Sequence, residues 1–431
     1  MIQDPIAIAI LLGSFAVLIL IRTPIAFALG FSSIFTALYS EIDLMIIAQR
    51  MVNGMESIPL IAIPFFILAG QIMSEGRIAE RLVNFASLFV GRIRGGLAMI
   101  NCVDSMFFGG ISGSAVADVS SLGSIMIPAM EKKGYTKNFA IALTVTTAVQ
   151  AVLIPPSHNM IIYSMASGGT SIGRLFLAGA LPGILLGLSL MVASYILAVK
   201  YNFPRETWPG WRKAVVIFVE GLLSVGVAVL IMGGIITGIF TASESAAVAV
   251  VYAFFLTFFL YRDIPIRRFG KILKDSVNTV SMVFLLIATS TAFAWIMTSM
   301  QVPQAIAGWL LSLSNNKYVI LTLVNLFLLI IGMVMDMAPA IVICTPILLP
   351  IMKTIGVDPV HFGVILMFNL GIGLCTPPVG NALFVGCAVG KAKIEEVVPS
   401  LLVCYIPMIV ILFVITFFPE IAMLLPNWWM K

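Results

Sequence analysis

Apolar residues run along this chain in blocks of roughly 15 to 25 positions, near the length at which a helix crosses about 30 Å of hydrocarbon. Ile6–Ile21 predicts a first span, closed by the tight turn Arg22-Thr23-Pro24, and Ile25–Tyr39 predicts a second. Leu44–Val52 is apolar on one face at helical spacing, which predicts a helix lying along the membrane interface. Ile58–Met73 predicts a span ending at Glu75-Gly76-Arg77, and Ile78–Phe89 an amphipathic continuation towards Arg92 and Arg94. Leu175–Val199, Ala214–Ile235, Ala242–Tyr261, Val277–Ser299 and Val397–Leu425 predict further spans. Lys200–Lys213 and Arg262–Lys274 are read as polar connections, and Met300–Asn316 as a loop.

Four segments depart from this rhythm, in two pairs. About 95–130 and about 318–352 each hold two apolar arms of about 15 residues around a glycine-rich centre, Gly109–Ser114 and Gly332–Asp336. A 15-residue helix is only about 22 Å long, so each pair of arms predicts a re-entrant hairpin that enters and leaves on one side. The other two, about 139–165 and about 361–388, are long enough to span but carry Ile154-Pro155-Pro156-Ser157 and Gly371–Gly380 with Pro377-Pro378 at their centres. Proline removes a backbone donor and clashes with the carbonyl four residues back. In lipid, the freed groups need protein partners or a water-lined cavity, so these predict broken helices. Paired interruptions in two halves of a membrane chain are the sequence signature of a secondary transporter's binding site.

The predicted fold is therefore an all-α polytopic membrane protein built as two repeats, 1–199 and 214–431, joined by a linker at 200–213. Each repeat is assigned five crossings, one of them broken, plus one hairpin. An odd count inverts the second repeat relative to the first. The basic positions agree: Arg22, Arg77, Arg81, Arg92, Arg94, Lys132, Lys133, Lys137, Lys200–Lys213, Arg262–Lys274, Lys391 and Lys393 fall on one side, which the positive-inside rule makes cytoplasmic. Both termini are then expected on the periplasmic side. Composition supports the class, since 61% of the 431 residues are hydrophobic and only 10% charged, against about a quarter in soluble chains. No basic face points to nucleic acid. The five cysteines (Cys102, Cys344, Cys375, Cys387, Cys404) sit in apolar context without metal-site spacing and read as free packed thiols. No cleavable signal peptide precedes the first apolar run.

Carboxylates within membrane segments cost about 2.5–3.5 kcal/mol on insertion scales, so Asp118 and Asp336, one near each hairpin tip, require a reason. They either bind or organise cations or cap short hairpin helices, and the two roles are compatible. Asp104, in the first arm, is read either as site support or as a polar contact between arms. Ser112, Ser114, Ser157 and Thr376, with carbonyls freed near Pro155 and Pro377, are oxygen donors suited to a hard cation such as Na⁺. The candidate sodium positions are Ser112, Ser114, Asp118, Pro155, Ser157, Gly332, Asp336, Gly373, Thr376 and Pro377. The candidate substrate positions are Gly113, Pro156, His158, Asn159, Met335 and Pro378. His158 is read with equal weight as a satisfied buried histidine, and His361 as structural. Gly110-Ile111-Ser112-Gly113 also fits a pattern found around intramembrane serine protease nucleophiles, with His158 as base. That reading leaves the second half of the chain unexplained, and nothing marks a passive channel's filter.

With these residues in view, the chain resembles the large membrane subunit of the tripartite ATP-independent periplasmic (TRAP) transporters over nearly its whole length. The resemblance rests on Ser112-Gly113-Ser114 with Ala117-Asp118, Gly134-Tyr135 with Phe139-Ala140, Ile154-Pro155-Pro156-Ser157, and Phe176-Leu177-Ala178-Gly179 with Pro182-Gly183. It continues in Gly238-Ile239-Phe240-Thr241 with Glu244, Gly332-Met333 with Met335-Asp336, Pro359, Phe362-Gly363-Val364, Asn369, Ile372-Gly373 and Thr376-Pro377-Pro378 with Gly380. It implies a Na⁺-driven importer of organic acids, not an enzyme, with Na⁺ as coupling ion and no cofactor. It implies two partners, a small four-helix membrane subunit and a soluble periplasmic binding protein that delivers substrate. It further implies residence in the bacterial inner membrane and an elevator motion of hairpins and broken helices against a scaffold. Ala242 and Ser245 depart from the family's usual block, and His158-Asn159 replaces residues that are apolar in many members. The latter departure resembles the sialic-acid branch more than the dicarboxylate one. The alternative reading is a stand-alone sodium/dicarboxylate symporter of similar architecture that needs no partners.

Overall fold

A computed structural model describes residues 4–21, 23–314 and 316–430, and every regular element among them is helical. Arg22 and Asn315 lie outside the described residues, so the turn at Arg22 and its place among the basic positions do not enter the structural account. The first helices are α1 (Pro5–Leu20), α2 (Ile25–Tyr39), α3 (Leu44–Met55), α4 (Ala62–Glu75) and α5 (Ile78–Val90). The first hairpin is α6 (Gly96–Ser112) and α7 (Ala115–Lys132). The first broken helix comprises α8 (Lys137–Thr147), α9 (Gln150–Leu153) and α10 (His158–Ala166), and α11 (Ile172–Lys200) follows. Beyond the linker come α12 (Trp211–Ile236), α13 (Ala242–Phe254, continued by a π-turn over Phe255–Leu260), α14 (Phe269–Ser299) and α15 (Val302–Leu313). The second hairpin is α16 (Lys317–Val334) and α17 (Met337–Thr354), the second broken helix α18 (Pro359–Leu374) and α19 (Asn381–Gly390), and α20 (Ile394–Phe417) and α21 (Pro419–Trp429) close the chain.

Five boundaries differ from the hydropathy reading, each for a local reason. Met300–Asn316 is not a loop, because Pro303 occupies the first turn of α15, where no hydrogen bond is lost and the fixed φ is helical. Lys271 and Lys274 are on α14, not in a connection, since charged residues extend a membrane helix into the interface without breaking it. The last span divides because Pro419 disfavours helical φ/ψ at Phe418, which sits at φ −116° and ψ 83°. The linker is shorter than expected because α11 runs to Lys200 and α12 begins at Trp211. The hairpin arms are 17 or 18 residues long, not about 15, because helix continues through Gly109-Gly110 to the tip.

This is a multi-pass membrane protein. Seven helices among the described residues are long and apolar enough to cross a bilayer, or eight if the bent pair 137–153 and 158–166, at 51°, counts as one span. The seven include the arms α16 and α17. The expected ten crossings are therefore not reached on length and composition, because α1, α2 and α4 have only 14 to 16 residues and the second broken helix divides into pieces of 16 and 10.

The helices pack as two groups. α4 lies against α13 and α14, α14 also against α2 and α3, and α12 against α5 and α13. In the second group, α7 packs on α19 and α17 on α10, so each hairpin's second arm meets the short half of the other hairpin's broken helix. The first arms do the complementary thing, α6 on α9 and α16 on α18. Polar loops gather at one end of the molecule. Arg81 grips Asp263 with both guanidinium nitrogens (2.7 and 3.0 Å) and lies 3.8 Å from the Tyr261 ring centroid. Arg268 reaches Glu75 at 3.8 Å and Lys133 reaches Glu206 at 3.1 Å. Thr241 and Glu244 form a capping box that starts α13, with Glu244 Oε2 accepting from the Thr241 N–H at 2.7 Å.

Candidate functional site

The site is built where the helices stop. α9 ends at Leu153 before Pro155-Pro156, and α10 restarts at His158 with Ser157 in extended conformation at its N-cap. α18 ends at Leu374, and α19 restarts at Asn381 after Gly380, whose φ of +49° favours glycine. Both Pro-Pro peptide bonds are cis. The hairpin tips are equally short. Gly113 turns the first at φ +61°, and Ser114 caps α7 by accepting from the Ala117 N–H at 3.4 Å. Asp336 holds the corresponding N-cap position of α17, but its carboxylate accepts no cap hydrogen bond.

Each tip lies on the break of its own half of the chain. A Cβ on Gly110 would stand 3.1 Å from the Pro155 carbonyl oxygen, and one on Gly113 2.9 Å from that of Pro156. In the second half, the Val379 N–H donates to the Met333 carbonyl at 3.1 Å, and a Cβ on Gly332 would stand 3.1 Å from Gly373 Cα. Thus Gly110 and Gly113 meet Pro155, Pro156 and Ser157, with Ser112 and Ser114 flanking Gly113 in the chain, while Gly332 meets Gly373. The donor sets are rich in oxygen and free of basic side chains. Ser157 Oγ is buried without a hydrogen-bond partner among the described residues. Thr376 is engaged differently, since its hydroxyl donates to the Ile372 carbonyl at 2.7 Å.

Between the two helix groups lies a cavity of about 750 Å³. One wall is α4 and α14, through Gln71, Ser74, Thr279 and Val283. The other is made of the tips and breaks, through Ser112, Ser114–Ala117, His158, Asn159, Asp336–Ala338 and Asn381. The N-termini of α7, α10, α17 and α19 all open here. Their free N–H groups and positive dipole ends favour an anion. His158 and Asp336 supply the ionisable side chains of the lining. Among the described residues, no lysine or arginine lines the wall.

Of the sequence-predicted positions, Ser112, Ser114, His158, Asn159 and Asp336 line the cavity; Gly113, Pro156, Met335 and Pro378 do not. Met335 is buried and Pro378 is exposed elsewhere. Asp118 differs from its expected pairing with Asp336. It lies one turn inside α7, fully buried, with Ser105 Oγ donating to one carboxylate oxygen at 2.9 Å and the other oxygen unpartnered. It does not cap α7; Ser114 does. Asp104, also buried, has neither oxygen hydrogen-bonded. His361 is structural, its Nε2 2.8 Å from the Ile415 carbonyl oxygen. Ser112 Oγ bonds only within its own turn, to Ser114, so no nucleophile–base pair with His158 is assembled. Gln71, Ser74, Thr279 and Asn381 were missed. Gln71 alone had a sequence signal, as a polar residue set into the otherwise apolar run of α4.

Comparison with known proteins gives a consistent result. Residues 12–421 match the family model described as tripartite ATP-independent periplasmic transporter, DctM component. The chain is 39% identical to the C4-dicarboxylate TRAP transporter large permease protein DctM of Pseudomonas aeruginosa, covering 93% of this chain and 94% of that one. It is 38% identical to the sialic acid TRAP transporter large permease protein SiaM of Vibrio cholerae, covering 94% and 95%. Among solved structures it resembles the YdaH transporter of Alcanivorax borkumensis, with a TM-score of 0.63 over 86% of this chain and 87% of that one. At 11% identity, that likeness is one of fold.

Proposed function

The chain belongs to the tripartite ATP-independent periplasmic transporter family as its DctM component, a large permease and not an enzyme, and we propose that it imports a hydroxylated organic acid driven by Na⁺. The carrying observation is the cavity on which four helix N-termini and both hairpin tips converge. A substrate carboxylate is held by the N–H groups of α7 and α17, whose positive ends take the place of a basic side chain. The hydroxyls and amides of Gln71, Ser74, Asn159, Thr279 and Asn381 suit a polyhydroxylated body, such as an acidic sugar. Identity to relatives named for sialic acid and for C4-dicarboxylate is nearly equal, 38% and 39%, so the preference for an acidic sugar rests on the lining.

Na⁺ binds in the two tip-on-break contacts, one using Ser112, Ser114, Pro155 and Ser157, the other Gly332, Gly373, Thr376 and Pro377. Its binding orders the tips and thereby completes the substrate site, a coupling that is necessarily reciprocal. The hairpins and broken helices, arranged as inverted repeats 1–199 and 214–431, move as an elevator against α4 and α14. The basic end bearing Arg77, Arg81, Arg92 and Arg268 faces the cytoplasm of the inner membrane, with both termini periplasmic. A small four-helix membrane subunit and a periplasmic binding protein complete the system. Uptake of labelled acid into proteoliposomes containing both membrane subunits tests this. Inward Na⁺ and binding protein are both expected to be required. Uptake indifferent to the Na⁺ gradient sinks the cation assignment, and uptake without binding protein favours a stand-alone symporter.

A further inference from the structure

A second cavity, of about 220 Å³, lies away from the transport site between α5, the start of α6, the linker and α12. Its lining is mixed. Val83, Leu97, Ile100 and Ile217 provide apolar side chains, while Asn84, Ser87, Thr207 and Arg92 provide polar ones. The Arg92 guanidinium stacks 5.1 Å from the Trp208 ring centroid and pairs with no carboxylate among the described residues. Glu206, the one acid on the lining, is held by Lys133 at 3.1 Å, so Arg92 leaves the pocket a net positive charge. Further positive charge is close in sequence, at Arg94, Arg205, Arg212 and Lys213.

The surroundings place this pocket at a membrane interface. Trp208 and Trp211 meet edge to face at 5.6 Å, and Trp211 is 79% exposed, as indoles at the headgroup level are. Phe89 and Val219 continue an exposed apolar surface beside it on α5 and α12. The linker is fixed over the pocket by the Glu206 N–H donating to the Gly91 carbonyl at 2.9 Å and the Gly96 N–H donating to that of Pro204 at 3.3 Å.

We propose that this pocket binds the headgroup of an anionic phospholipid, with the phosphate on Arg92 and the hydroxyl and amide donors and the glycerol end directed over the apolar floor. Basic pockets between membrane helices recognise such headgroups, each basic side chain contributing about a fivefold gain in affinity. The occupant bridges α5, the linker and α12 at the base of the first hairpin arm. Full-length protein purified from membranes is titrated with phosphatidylglycerol, phosphatidylcholine or inorganic phosphate and followed by native mass spectrometry and thermal unfolding. One phosphatidylglycerol per chain is expected to survive washing that removes phosphatidylcholine, and to raise the unfolding temperature. Arg92→Gln is expected to weaken its retention about fivefold, whereas Arg267→Gln leaves it unchanged. Equal retention of both lipids, or unaltered retention in Arg92→Gln, overturns the proposal. So does an equal thermal shift with inorganic phosphate, which marks a free-anion site.

Discussion

At the scale of single residues, the two membrane carboxylates near the tips prove to be different instruments. Asp336 stands at the cavity with its side chain free of the helix end it adjoins, while Asp118 is sealed between arms with Ser105. Sequence spacing brought both to attention because each follows a glycine-rich centre. It could not tell them apart, because the decisive fact is which helix begins three residues earlier. Ser157 is the more telling position for the proposed cation site. Its unpartnered buried hydroxyl predicts that Ser157→Ala raises the Na⁺ concentration for half-maximal uptake by about tenfold, the value of one lost oxygen contact, with little effect on expression. Unchanged Na⁺ dependence removes it from the site. Asp336→Asn is expected to weaken Na⁺ dependence as well, read in the same uptake assay. Gly373 makes a separate point. A Cβ there would fall on the backbone of Gly332, which cannot swing aside as a side chain can. Gly373→Ala is therefore expected to cost at least the about 1–3 kcal/mol of an overpacked contact, measured as a lower unfolding temperature.

Among the elements, the long periodic helices and the breaks at Pro155-Pro156 and Pro377-Pro378 were legible, because hydropathy and proline chemistry act locally. α15 was not, because Met300–Asn316 reads as a loop, whereas Pro303 sits in the first helical turn, where proline is tolerated. The division of α20 from α21 was hidden in the same way inside one apolar run. Nor does periodicity reveal which helices form the opposite wall of the cavity. That required the packing of α4 beside the first hairpin, where Ser74 Oγ and Ser121 Oγ approach to 2.6 Å. This contact joins the proposed scaffold to the proposed moving part. A Ser74→Cys/Ser121→Cys pair is expected to form a disulfide under oxidation and to stop uptake, with reduction restoring it. Full-rate uptake by the crosslinked protein sinks the elevator reading.

Over the whole molecule, connections distant in sequence are drawn together at one end, chiefly by Arg81. Its bidentate grip on Asp263, whose side chain is only 5% exposed, ties α5 to the turn before α14. Asp263→Ala removes the bidentate partner and leaves the guanidinium over Tyr261 with only the longer 3.7 Å contact to the more exposed Glu220 carboxylate, and is expected to destabilise the fold by up to about 3 kcal/mol, read as a fall in the thermal midpoint in detergent. The effect should persist at high salt, because a half-buried pair is poorly screened.

The backbone contact of Gly332 with Gly373, and its counterpart where a Cβ on Gly109 would stand 2.6 Å from Ala151 Cα, bears on leakage. Side-chain ridges let helices slip past one another by a turn, but bare backbones pressed together offer no second register. An ion lodged between tip and break would then be carried with both, never handed from one to the other. If the proposed coupling ion sits in this joint, the transporter would keep its ratio of ions to substrate fixed and waste little of the gradient as uncoupled current.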